Sequence, residues 1–326
     1  MKIKDRVLYY RRLIYFYMPD YIKSIISRRS DSLNKKMEHY RKIAKENKIT
    51  KDNVCEILDS LNIKTDILLH SSEINIGKFL FKKEELVDIL IDRVNIREHT
   101  LMAASLSFSE GMYNYVVKNT ERVFDVKTAP IMTGVLNEII ANRPGVIRSL
   151  HPSHSVVAIG NRALYYTENH EMDETPFARN SPWWKIIESN GCILLFGAPK
   201  NITSIHAVED AIGNVYPWKI YLKKKYAFDV IDVEGIHHTV LTTCHNPATS
   251  IRRTHLPDFI QELKKNGLWN SKPIGASEIV LLSAKGMALT YLNWVEKGYS
   301  IYGKHKVTHK LVERIEEIKS ELSRQD

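Results

Sequence analysis

Apolar residues recur at helical spacing in several stretches and run together without interruption in a few shorter ones. Over 51–60, Val54, Ile57, Leu58 and Leu61 fall on one side, and Thr50 stands where an N-cap belongs, so a helix is expected there. The same spacing returns at 83–93, at 132–142 behind Gly134, and at 257–266. A longer helix is expected over 277–296, opening near Ser277-Glu278 and ending near Gly298, and an amphipathic, heavily charged one over 307–324. The compact runs Ile67-Leu-Leu69, Val156-Val-Ala-Ile159 and Cys192-Ile-Leu-Leu-Phe196 give way to polar residues or glycine, as buried strands feeding loops do. Residues 220–232 and 239–244 read as further strands. Helices and strands interleave without internal repeats, so the fold class expected is α/β or α+β around a central sheet.

Charge changes this picture at one end only. The 326 residues carry a net charge of +9, and all of that excess falls within residues 1–50. A nucleic-acid-binding domain would carry its basic stripe on the folded body, so no nucleic-acid partner is expected. The sequence divides into a basic, aromatic, helical N-terminal arm, 1–49, and a body, 50–326. In the arm, Tyr21, Ile22, Ile25 and Ile26 share a helical face with Lys23, Arg28 and Arg29 off it. Two readings fit: peripheral contact of residues 1–30 with anionic lipid, or packing on the body or on a second copy in a homo-oligomer. The three cysteines are far apart and form no Cys-x-x-Cys pair, which argues against a disulfide scaffold and a cysteine zinc site. No apolar run is long enough to span a bilayer and no signal peptide is read. A cytoplasmic location is expected, with peripheral contact at the inner membrane surface open.

Candidate chemistry gathers where strands end. His70-Ser71-Ser72 follows the run at 67–69, a position suited to hydrogen bonding an extended polar ligand. Arg148-Ser149-Leu150-His151-Pro152-Ser153-His154-Ser155 has a His-x-x-His spacing, but Pro152 breaks a common helical face. Its arginine and hydroxyls suit a phosphate better, and no metal is expected. His206 and Glu209 lie three apart at an expected helix start, where a carboxylate can fix the tautomer of an imidazole base; a structural histidine is the plainer alternative. His237, His238, His245 and His255 stand near Asp229, Asp232 and Glu234, and strand alternation lets at most one of His237 and His238 face a site. No Gly-x-Ser-x-Gly elbow or glycine-rich phosphate loop is present.

Five segments in order resemble the aminoglycoside 3-N-acetyltransferase family, the antibiotic acetyltransferases that use acetyl-CoA. They are the strand with His70-Ser-Ser; Phe124-Asp125 through Pro130 and Gly134 to Arg148-Ser-x-His151-Pro-x-x-Ser155; His170 followed by Ser181-Pro182; Gly191-Cys-Ile-Leu-Leu-Phe-Gly197; and Thr203-Ser-Ile-His206-x-x-Glu209. Ile274-Gly-Ala and the following helix also fit. The resemblance covers roughly residues 50–300 and leaves the arm outside.

It implies an α/β fold with a central mixed sheet flanked by helices, unlike the GNAT acetyltransferases, and direct acyl transfer from acetyl-CoA, a co-substrate, to an amine. By motif match, Ser71, Ser72 and the loop residues Arg148, Ser149, His151 and Ser155 would hold the acyl-CoA. His206 would be the base, with Glu209 its acidic partner and Asp125 a second acidic candidate. His70, His170 and, more loosely, His245 would lie on the substrate side. A neutral body ill suits a polycationic drug, so the expected acceptor is an amino sugar, with surface polysaccharide assembly as its setting. The alternatives are an aminoglycoside acetyltransferase conferring antibiotic resistance, or a non-catalytic CoA- or sugar-binding relative tethered by its arm.

Overall fold

The computed structural model describes residues 32–324. The aromatic basic stretch, for which membrane or subunit contact is expected, lies outside the described residues. The described chain opens with a helix, Ser32–Glu46, and a two-residue strand, Lys48–Ile49, paired in parallel with Lys78–Phe79.

A seven-stranded mixed sheet forms the centre, in the order Asn270–Ile274, Ser277–Ser283, Cys192–Phe196, Ile67–Ser71, Thr100–Ala104, Val156–Gly160 and Ile147–Arg148. Ile67–Ser71 runs parallel to both its neighbours, and the outer pairings are antiparallel. Alternation along the strands sorts side chains between two cores. Leu68, Met102, Ile193, Leu195, Val280 and Leu282 face one side, under helices that include Pro182–Glu188, Ile205–Ile212 and Ala284–Glu296. Ile67, Leu69, Leu101, Leu194, Phe196 and Ile279 face the other, under Lys51–Leu61, Lys83–Val94 and Val135–Ala141. A smaller sheet of His237–Thr242, Tyr226–Ile231 and Val123–Asp125 packs its own core around Phe124, Phe228 and Val230. The expected α/β class with a mixed sheet and flanking helices is therefore present.

The helix expected over 51–60 forms at Lys51–Leu61, and Thr50 caps it in a reciprocal box with Asn53. The long helix expected over 277–296 does not form as such. Ser277–Ser283 is a strand and only Ala284–Glu296 is helical. Ile279-Val-Leu-Leu282 fills a slot between two antiparallel neighbours, and that burial overrides a helical pattern read from apolar spacing. Gly275, at φ +53°, lets the chain double back there, and any Cβ would stand 2.1 Å from Ile76 O. The strands expected at 220–232 and 239–244 are shorter or shifted, at Tyr226–Ile231 and His237–Thr242. Their register pairs His237 with Ile231 and Thr242 with Tyr226.

Candidate active site

Two parallel strands end side by side. Ile67–Ser71 and Cys192–Phe196 register His70 against Leu195 and Ser71 against Phe196. Gly197, at φ +68°, lies so close that a Cβ would meet Ser72 O at 2.6 Å. Asn75 Nδ2 locks the junction by donating to Ser72 Oγ (2.9 Å) and Gly197 O (3.0 Å). Alternation then sends His70 and Ser71 to opposite faces. His70 is buried beside Trp183, ring centroids 5.8 Å apart, while Ser71 Oγ donates to Asn137 Oδ1 at 3.2 Å. Beyond these ends opens a cavity of about 1120 Å³, whose walls include His70, Ser71, Ser72, Thr203, His206 and His245.

His206 sits in the first turn of Ile205–Ile212, the helix that follows Cys192–Phe196. Its Nδ1 bonds Glu209 Oε2 at 2.8 Å, the neighbouring-turn contact expected from their spacing. Three tyrosines surround that carboxylate: Tyr216 (3.1 Å) and Tyr291 (2.7 Å) donate to Oε1, and Tyr302 (3.0 Å) donates to Oε2. Arg253 Nη1 donates to His206 Nε2 at 2.8 Å. A guanidinium has no acceptor, so Nε2 carries the lone pair and Nδ1 the proton, the tautomer a base on the cavity side needs. Burial, helped by the Arg253 charge, holds the His206 pKa well below 6.5, and burial raises Glu209 to about 7 despite its donors. The imidazole is therefore neutral at neutral pH, the state in which it can take up a proton.

Other histidines crowd the same region. The His245 ring lies 4.5 Å from that of His206, edge to face, and His154 packs on Phe177 at 4.7 Å. Burial lowers both pKa values well below 6.5, with neighbouring histidines adding to it; burial alone lowers His70 to about 4. Two buried nitrogens facing this region, His70 Nε2 and His245 Nε2, have no hydrogen-bond partner among the described residues.

The remaining residues singled out in the sequence do not line the cavity. Arg148 donates to Ala129 O (2.6 Å), Ser105 O (2.7 Å) and Ser107 Oγ (3.0 Å), and so pins its loop from within. Ser155 Oγ donates to Ser105 O, and Ser149 Oγ accepts from Val156 N. His151 stacks on His170 at 4.6 Å, and His170 bonds Ser149 Oγ at 3.0 Å. Ser149, His151, Ser155 and His170 are all buried and support the cavity wall at one remove. Asp125 accepts from Lys127 N and Thr128 Oγ1 in an exposed turn of the small sheet. His237 and His238 pair with Asp229 and Asp232 on that sheet's surface, and His255 with Asp258. Sequence reading missed Arg253, Asn137, Trp183 and the three tyrosines. They are scattered from 137 to 302, and no local spacing signals their convergence.

A neutral, buried imidazole backed by a carboxylate and opening on a large cavity is the equipment of general-base chemistry, carried here on a mixed α/β sheet. The chain belongs to the aminoglycoside 3-N-acetyltransferase family, whose model matches residues 68–296. Over 89 residues it is 38% identical to aminoglycoside N(3)-acetyltransferase III of Acinetobacter baumannii, covering 26% of this chain and 31% of that one. A longer match of 184 residues at 24% identity covers 53% of this chain and 62% of aminoglycoside N(3)-acetyltransferase IX of Micromonospora chalcea. The chain thus matches less than two thirds of the length of either relative. The solved structure of AAC-IIIb, binary with CoASH, aligns with a TM-score of 0.62 at 22% identity, covering 77% of this chain and 97% of that one. That likeness shows the fold.

Proposed function

We propose that this protein transfers an acetyl group from acetyl-CoA to the amine of an amino sugar, with His206 as general base. The observation that carries this reading is the His206–Glu209 pair at the cavity, its Nε2 lone pair turned to Arg253 of the cavity wall. Acetyl-CoA supplies the activated thioester. The amine nitrogen bonds to the carbonyl carbon, the carbon–sulfur bond breaks, and the amine proton passes to His206 Nε2 and then to the departing thiolate. An alkylammonium is almost fully protonated at neutral pH, so a base contributes about 10²–10⁴-fold. Glu209 stabilises the imidazolium that forms, and the tyrosines orient Glu209.

The cavity fits such a co-substrate: it exceeds the roughly 300–1,000 Å³ of ordinary small-molecule sites, and Ser71 and Ser72 present hydroxyls at the strand ends. The relatives' names favour an aminoglycoside acceptor, and nothing in the comparisons favours polysaccharide assembly. One observation favours a less cationic amino sugar. Glu73 is the only carboxylate among the described residues on the cavity wall, and Lys83 neutralises it at 2.6 Å.

Thiol release from acetyl-CoA, measured with aminoglycosides and with free, phosphorylated and nucleotide-linked amino sugars, tests the reading. Turnover that His206→Ala lowers by about 10²–10⁴-fold, with CoA binding retained, is the expected result. Full activity in His206→Ala would remove the base, and no CoA binding would remove the reading.

A further inference from the structure

Arg253 is in an unusual position for a cavity cation. Its guanidinium makes one hydrogen bond among the described residues, to the nitrogen that should receive the substrate proton, and no described carboxylate pairs with it. A base whose lone pair is held by a cation cannot accept a proton until that cation moves, and a guanidinium moves most readily to an oxyanion. His245 supplies a second, independent observation. It lines the same cavity, its ring lies 4.5 Å from His206, and its Nε2 is buried with no hydrogen-bond partner among the described residues.

We propose that Arg253 and His245 form an anion subsite for the acceptor, which is an amino sugar bearing a phosphate ester near its reacting amine. Docking of the phosphate draws the guanidinium off His206 Nε2 and frees the base only when the acceptor is in place. The proposal rests on the acetyltransferase reading. The phosphates of CoA cannot be this anion, because the pantetheine arm separates them from a thioester held at His206. Lys78, elsewhere on the wall, is the cation available for that end, since Lys83 is paired with Glu73. A polycation is poorly served here: the charged residues on the wall are Lys78, Lys83, Arg253 and the Glu73 that Lys83 neutralises.

The test is calorimetric titration of the full chain, with and without saturating CoA, using glucosamine, glucosamine 1-phosphate, glucosamine 6-phosphate and neomycin. At least one phosphate ester should bind about ten-fold or more tightly than glucosamine, a difference of about 1.4 kcal/mol. Arg253→Ala should bring that ratio close to one, and Arg253→Lys should restore part of it, while CoA affinity stays unchanged in both. Equal binding of glucosamine and both esters, tighter binding of neomycin, or an ester preference that survives Arg253→Ala overturns the proposal. Failure of the acetyltransferase reading shows separately, as absent CoA binding, and the titrations without CoA still report on Arg253.

Discussion

At the residue scale, the site turns on which member of the His206–Glu209 pair titrates in the working range. His206 is held well below 6.5 by burial and by Arg253, so it stays neutral as the pH falls toward 6. Glu209 is raised to about 7 by burial, so it takes up a proton first and removes the charge opposite Nδ1. The acid limb of kcat/KM should therefore lie near pH 7 and belong to Glu209. Glu209→Gln should abolish that limb and lower the plateau on the order of 10²-fold or more, as loss of the orienting carboxylate does in other His-based sites. A pH–rate series on wild type and variant checks this; an unchanged limb in Glu209→Gln would assign it to another group.

At the scale of elements, the site depends on the junction where Ile67–Ser71 and Cys192–Phe196 end together. Gly197→Ala places a Cβ 2.6 Å from Ser72 O at a φ of +68°, so Ser72 and Asn75 must move. The expected cost is about 1–3 kcal/mol of stability, read as a lower urea midpoint, together with a raised KM for acetyl-CoA. A variant as stable as wild type would show that the strand ends are not held by this contact. The junction is partly legible in the sequence. His70, His206 and Glu209 sit in short motifs whose spacing is set by one strand end or one helical turn. Arg253, Tyr291 and Tyr302 are not legible there, because the sheet and its crossovers bring them in from distant positions. The strand Ser277–Ser283 reads as helix for a related reason. Ile279-Val-Leu-Leu282 is apolar on both faces, as a central strand must be, and such a run has no period that separates strand from helix.

At the scale of the whole molecule, the buried histidines make the fold sensitive to acid. His70, His151, His154, His170, His206 and His245 are each lowered by burial, His70 to about 4 and His170 to about 3. Unfolded, each would take up a proton near 6.5. Below 6.5 the unfolded chain therefore binds more protons than the folded one, and stability is lost as the pH falls. Glu209, raised to about 7, Asp173, raised to about 6, and Asp210, also raised, act in the opposite sense, because the folded state holds their protons at higher pH. Six lowered histidines outweigh these three carboxylates. By about pH 4 the losses from His70 and His170 are nearly offset by Glu209 and Asp173, so the net acid sensitivity comes from His151, His154, His206 and His245, each held well below 6.5. The urea midpoint should drop steadily from about pH 7 to about pH 4. His170→Gln, which removes a group stacked on His151 and away from the cavity, should flatten that slope even if it lowers the midpoint at neutral pH. A midpoint that stays level over that range in wild type would mean that the histidines protonate without unfolding. The neutral imidazole assigned to His206 would then have to be established directly, by following its ring resonances through the same range.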